Sequence, residues 1–248
     1  MAACRLALPG MPPDMVTSAP RAAPAADRRQ QLFSASQALD LPLSDKQADL
    51  LLAYLDLLQR WNRVYNLTAL RDPAEMLSHH LIDCLAVLPP LGRWCASLAA
   101  PAVTAFHVLD VGSGGGLPGV VLAAWRADWR VDCVDTVVKK VSFIRQVSAE
   151  LGLRQLQGLH ARVEALPPPD GGYQLIMSRA FASLRDFTTL TRHLLANGGV
   201  WVAMKGKTPV DELAALPADV DVFHVEQLQV PGLDAQRCLV WMRLRTAA

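Results

Sequence analysis

VLDVGSGGGLPG, residues 108–119, carries an apolar run into a cluster of glycines and leaves it through Leu117 and Pro118. An apolar segment of strand type before the glycines and a helical pattern after them make a strand–loop–helix unit. Glycine allows the backbone a positive φ and lets a ligand approach the main chain closely. Gly114, Gly116 and Gly119 spell G-x-G-x-x-G, the spacing of dinucleotide sites, which is a weak signal when it stands alone. Asp110 weighs against that reading. A pyrophosphate seated at the helix N-terminus would be repelled by a carboxylate just upstream.

S-adenosylmethionine brings no phosphate and carries an ammonium and a sulfonium, so an acid before the first glycine suits it, and Asp110, Gly112 and Gly114 are its expected contacts. A second acid, Asp135, ends the next apolar run 21 residues after Gly114. There its carboxylate can accept both ribose hydroxyls of an adenosine. The competing readings are a turn acid for Asp110 and an N-cap for Asp135.

Working outward, short apolar runs alternate with helical segments, the signature of a parallel sheet. Strands are predicted at 105–111, 130–134, 155–160, 173–177 and 199–204, and helices at 118–127, 137–151 and 184–195. The tail reads as two strands, 222–230 and 236–244, joined around Pro231 and Gly232. Five alternating strands with a terminal antiparallel pair match the Rossmann-like α/β sheet of class I S-adenosylmethionine-dependent methyltransferases. Upstream the period changes. Ser44 with Gln47 forms a capping-box pattern, and Leu51, Tyr54, Leu55, Leu58, Trp61 and Tyr65 recur at helical spacing. Asp72 with Pro73 and Glu75 starts another helix, whose inward face is Met76, Leu77, Leu81, Cys84, Leu85 and Leu88, and which Pro89 and Pro90 are expected to stop. The expected organisation is a disordered Ala/Pro-rich leader over 1–28, or a start misassigned upstream of Met11 or Met15, then a helical cap over 29–100 and a methyltransferase domain over 101–248.

Charge and cysteine content narrow the classes. With 24 basic and 23 acidic side chains the chain has a formal charge of +1, so any nucleic-acid contact must come from a local patch. Five scattered cysteines without a C-x-x-C pair argue against a zinc site or a disulfide framework, and no metal is expected. No apolar run is long enough to span a membrane, and a cytoplasmic location is expected.

Several blocks together resemble the ribosomal RNA small-subunit methyltransferase G family: NLTALRDPAEMLSHHLIDCL (66–85), LDVGSGGGLPGVVLA (109–123), KKVSFIRQV (139–147), ARVEAL (161–166), SRAFASL (178–184), KGK (205–207) and LQVPGLDAQRCLV (228–240). The resemblance implies transfer of a methyl group from S-adenosylmethionine to N7 of a guanine in the decoding-region loop of 16S ribosomal RNA. Its implied partner is that RNA or the precursor small subunit, not DNA and not a membrane. It also implies that Gly112, Leu117, Val163, Glu164 and Arg179 line the cofactor pocket.

Guanine N7 has an in-plane lone pair and no proton, so the reaction needs orientation and electrostatics and no general base. A cytosine C5 enzyme would need a cysteine nucleophile, but Cys84 and Cys133 fall on core faces. An amine methylase would carry an Asp/Asn-Pro-Pro-aromatic block after the fourth strand, where SRAF stands instead. Arg179 therefore occupies the catalytic position, as a positioning group that meets the base or holds the cofactor carboxylate. Lys139, Lys140, Arg145, Arg162, Lys205 and Lys207 are expected to converge on the strand-end rim and bind RNA phosphates. His79 and His80 read as helix surface and core edge.

Overall fold

The computed structural model describes residues 25–98 and 106–245. Helix α1 (Ala25–Ala38) lies beside α2 (Asp45–Tyr65), which opens on the complete Ser44/Gln47 capping box. The expected leader over 1–28 falls mostly outside the described residues. Its last four residues are instead the first turn of α1, where Arg28 pairs with Asp56 at 2.8 Å and Arg29 with Asp45 at 2.6 Å on α2. Those ion pairs, together with the fully buried Leu32, carry helix further toward the N-terminus than apolar periodicity alone would.

Asp72 caps α3 (Pro73–Met76), which runs through a π-helical turn (Leu77–Ile82) into α4 (Asp83–Leu85). Every apolar residue expected on the inward face of this segment is buried. Pro89 and Pro90 do not end helical structure, because α5 (Leu88–Ser97) starts with them in its first turn. Proline lacks the amide hydrogen that a first turn leaves unpaired anyway, so there it initiates.

The sheet follows: β1 (Phe106–Val111), α6 (Gly119–Trp125), β2 (Trp129–Asp135), α7 (Val138–Glu150), β3 (Leu156–His160), β4 (Tyr173–Arg179), α8 (Leu184–Thr191), β5 (Leu195–Lys205), α9 (Val210–Ala214), β6 (Val220–Leu228) and β7 (Arg237–Leu244). Spatial order is β3-β2-β1-β4-β5-β7-β6. The first five strands are parallel, and β7 is antiparallel to both β5 and β6. This is the class I methyltransferase arrangement that the alternating pattern predicts. Strand β5 begins four residues earlier than expected, through Gly198 and Gly199, at a register shift against β4.

Alternate strand residues feed two cores. Val108, Cys133, Leu175 and Val202 pack under α6, α7 and the helical cap, whereas Leu109, Val134, Ile176 and Trp201 face α8. The cap therefore shares one continuous core with the sheet. No helix among the described residues is long and apolar enough to cross a membrane. Strand order reverses between β1 and β4, and at such a switch point the carboxyl ends of the strands open a crevice.

Candidate active site at the carboxyl ends of β1, β2 and β4

Gly112, Gly114 and Gly116 hold φ of 65°, 57° and 85°, so the loop needs glycine there. Its amides are largely committed inward. Gly112 and Ser113 donate to the Val134 carbonyl at 2.9 and 3.2 Å, and Gly116 and Leu117 donate to Ser113 O at 2.8 and 3.1 Å. Gly114 donates to Asp135 Oδ2 at 3.1 Å and Gly119 to Asp110 Oδ2 at 2.8 Å. A pyrophosphate loop must aim free amides at its ligand. This loop has spent most of them, which removes the physical basis of the dinucleotide alternative.

Asp110 is 0% exposed and lines neither cavity described below. The turn-acid reading describes what it does in the fold: it anchors the first residue of α6, and its Oδ1 has no partner. Burial penalises the ionised form and pushes its pKa up to about 7, only partly offset by the Gly119 amide. The folded chain thus keeps a proton that the unfolded chain releases near pH 4, so this group's contribution is full below about pH 4 and is lost as pH rises through about 7. Between about pH 5 and 8 the melting temperature of the native protein should fall relative to that of Asp110→Asn, which cannot ionise. His80 titrates in both proteins and cancels in the difference. Parallel melting curves across that range would contradict the assignment.

A cavity of about 240 Å³ opens against Val111, Gly112, Asp135, Val163 and Phe181. Asp135, 7% exposed, accepts from Val137 N–H at 2.8 Å on Oδ1, and from Gly114 N–H at 3.1 Å and Lys140 Nζ at 3.5 Å on Oδ2. The N-cap reading of this acid holds, since it ties down the start of α7, and the same side chain lines the cavity. A Cβ on Gly112 would lie 2.6 Å from the Phe181 ring, so glycine here keeps the loop in contact with an apolar wall. Glu164 lines neither cavity, because it is exposed and pairs with Arg162 at 2.6 Å.

A second cavity of about 380 Å³ shares Gly112 and Ala180 with the first and is also lined by Gly114, Leu117, Thr68, His80, Asp83, Arg179 and Arg237. Arg179 donates to His79 O at 3.0 Å and to Asp83 Oδ2 at 3.4 Å, while Arg237 Nε donates to Asp83 Oδ1 at 2.7 Å. Two guanidiniums thus share one carboxylate, leaving a cationic wall rich in N–H donors. His80 Nε2 lies 2.9 Å from Thr68 Oγ1, and burial lowers its pKa to about 4, so it is neutral near pH 7. His80 is buried as a core-edge residue and His79 is half-buried, and both line the second cavity. The π turn that carries them, a form often found at functional sites, brings them there.

Asp83 and Arg237 were not anticipated as site residues. A signal for Asp83 exists in the sequence, because an acid amid Leu81, Ile82, Cys84 and Leu85 must find a cation if it is buried. Cys84 and Cys133 are buried as expected, and burial raises both thiols, Cys84 to about 12.

The six expected RNA-binding side chains do not form one free patch. Lys140 belongs to the Asp135 cavity, and Lys205 Nζ is held by Glu212 at 2.8 Å and by Ala182 O at 3.2 Å. Arg162 pairs with Glu164, and Arg145 Nε donates to Gly158 O at 2.9 Å from the middle of α7. Lys139 and Lys207 are exposed and make no ion pair among the described residues. Acids close in sequence or across the sheet edge neutralise what a count of basic residues adds up.

The family profile described as rRNA small subunit methyltransferase G matches residues 47–240. A ribosomal RNA small subunit methyltransferase G from Leptothrix cholodnii is 62% identical over 89% of this chain and 97% of its own length. One from Albidiferax ferrireducens is 60% identical over 83% of this chain and 92% of its own. Among solved structures, TrmN from Thermus thermophilus aligns over 68% of this chain and 53% of that one, at 18% identity and a TM-score of 0.49, too distant to add to these matches.

Proposed function

The chain belongs to the rRNA small subunit methyltransferase G family, and from that membership we propose that it transfers the methyl group of S-adenosylmethionine to N7 of a guanine in the decoding-region loop of 16S ribosomal RNA. The observation that carries the reading is the pair of cavities that share Gly112 and Ala180 as lining residues, one lined by a carboxylate and apolar walls, the other by guanidiniums.

The residues of the first cavity fit an adenosine: Asp135 accepts hydroxyl protons, and Val111, Val163 and Phe181 offer apolar surface to a planar base. When bound, S-adenosylmethionine supplies an electrophilic sulfonium methyl. In the second cavity Arg179 and Arg237 offer N–H donors to guanine O6 or to an RNA phosphate, and Asp83 holds their planes in place. Catalysis by these groups is orientation and charge placement. The transfer asks for no proton removal and no protein nucleophile, and the lowered pKa of His80 and the raised thiols of Cys84 and Cys133 suit neither role. Lys139 and Lys207 are free to neutralise phosphates at the rim. In this reading the partner is 16S ribosomal RNA or the precursor small subunit, the protein works in the cytoplasm, and neither DNA nor a membrane is involved.

The test is transfer from labelled donor to ribosomal RNA or subunits from cells lacking the enzyme. N7 methylation leaves a cationic ring, so borohydride followed by aniline should cut the RNA at the modified guanine, and the single-turnover rate should vary little between about pH 6.5 and 8.5. Label incorporation without strand cleavage would refute the N7 assignment.

A further inference from the structure

We propose that Tyr54, on helix α2 of the cap, is a positioning residue for methyl-donor binding, holding the glycine loop in its receptive shape from outside the sheet. Tyr54 is 0% exposed, and its hydroxyl donates to the Gly115 carbonyl at 2.8 Å. One turn further along α2, Leu58 fills the space beside the same glycine, 3.3 Å from where a Cβ would stand. Gly115 lines the second cavity and sits next to Gly114, whose amide bonds to Asp135 in the wall of the first, so its position is felt on the donor side of the loop.

Three successive glycines form a segment with little conformational preference of its own, so its bound shape must be imposed by contacts or paid for in entropy when the ligand arrives. Asp135 fixes the loop at the Gly114 amide and Asp110 fixes it at the Gly119 amide. Tyr54 supplies the contact between them, from the cap side. The same helix reaches the other end of the loop–α6 unit, where Gln47 Nε2 lies 3.4 Å from the carbonyls of Ala124 and Trp125. Helix α2 therefore acts as a splint along the loop and α6, and the Tyr54 hydroxyl is its polar contact at the cavity end. Burial holds the phenol well above its ordinary pKa, so it remains a donor at all working pH values.

The inference rests on the donor-site reading above. Its test compares wild type, Tyr54→Phe and Gln47→Ala by calorimetry with S-adenosylhomocysteine, by KM for donor and for RNA, and by thermal melting. Tyr54→Phe removes one hydroxyl and is expected to weaken donor affinity about fivefold to tenfold, in line with one lost hydrogen bond to the loop. Its KM for RNA should rise less than its KM for donor. Gln47→Ala disturbs the capping box and the far end of the splint, and should leave donor affinity within about twofold. Unchanged donor affinity in Tyr54→Phe would overturn the inference, as would parallel rises in both KM values or an equal loss in Gln47→Ala, which marks general slackening of α2. If wild type failed to bind S-adenosylhomocysteine, the donor-site reading would fall and this inference with it.

Discussion

Asp135→Ala should weaken donor affinity about a hundredfold or more. In the reading proposed above this carboxylate accepts ribose hydroxyls, and each charge-assisted contact is worth about 1.5–3 kcal/mol. Two such contacts exceed the 2.8 kcal/mol or so that corresponds to two decades in Kd. The substitution also strips acceptors from the amides of Gly114 and Val137, both of which now bond to Asp135. The loop loses its anchor together with its ligand contact. Asp135→Asn separates the two effects: its amide oxygen can still accept from Val137, while its nitrogen cannot accept from Gly114 or Lys140. Its loss should be intermediate, about tenfold. Calorimetry with S-adenosylhomocysteine on both variants reads the difference, and wild-type affinity in Asp135→Ala would remove this acid from the donor site.

Gly119→Ala should strongly destabilise the fold. A Cβ at this position would sit inside van der Waals contact with Cys133 Sγ and 3.0 Å from Asp110 Oδ2. Both neighbours are 0% exposed and lie side by side in register on β1 and β2, so neither can swing into solvent. Overpacking of this kind costs about 1–3 kcal/mol. Pushing α6 away from β1 also stretches the Gly119 amide off Asp110, whose other oxygen already lacks a partner, at a further cost of about 1–3 kcal/mol. For a chain of this length the sum lowers the melting temperature by about 10 °C. Cys133→Ala makes room at the same spot, so the double variant should melt above Gly119→Ala alone, a non-additivity that a double-mutant cycle measures directly. A melting temperature for Gly119→Ala within about 2 °C of wild type would show that the packing has more give than this geometry allows. The third glycine of the G-x-G-x-x-G spacing thus serves helix-on-strand packing here, without any phosphate.

The sheet was legible because its strands alternate between two cores and its loops carry their own turn residues. Residues such as Val108, Leu109, Cys133 and Val134 declare their faces by position alone. Errors cluster where one residue type serves two ends of an element. Pro89 and Pro90 look like a stop in sequence and act as a start in the fold, since proline is compatible with both. The basic residues misled for a related reason. Lys140, Arg162 and Lys205 have the charge expected of a phosphate patch, but each spends it on an acid that only folding brings near or orients.

Taken alone, the sequence determined whatever depends on neighbours along the chain: the glycine loop and the acid that ends the following strand, the Ser44 capping box, the alternating strands, and the family. Backbone preference, side-chain period and short-range capping are local physics, so they can be read without a partner. Tertiary structure alone decided which charges face the site. Asp110 turns inward to hold α6, while Asp83 reaches Arg179 and Arg237 across 96 and 154 residues of sequence. A buried charge takes whichever counter-ion or amide the packing of the cap against the sheet brings within about 3 Å, and that choice is made by the three-dimensional fit of distant elements.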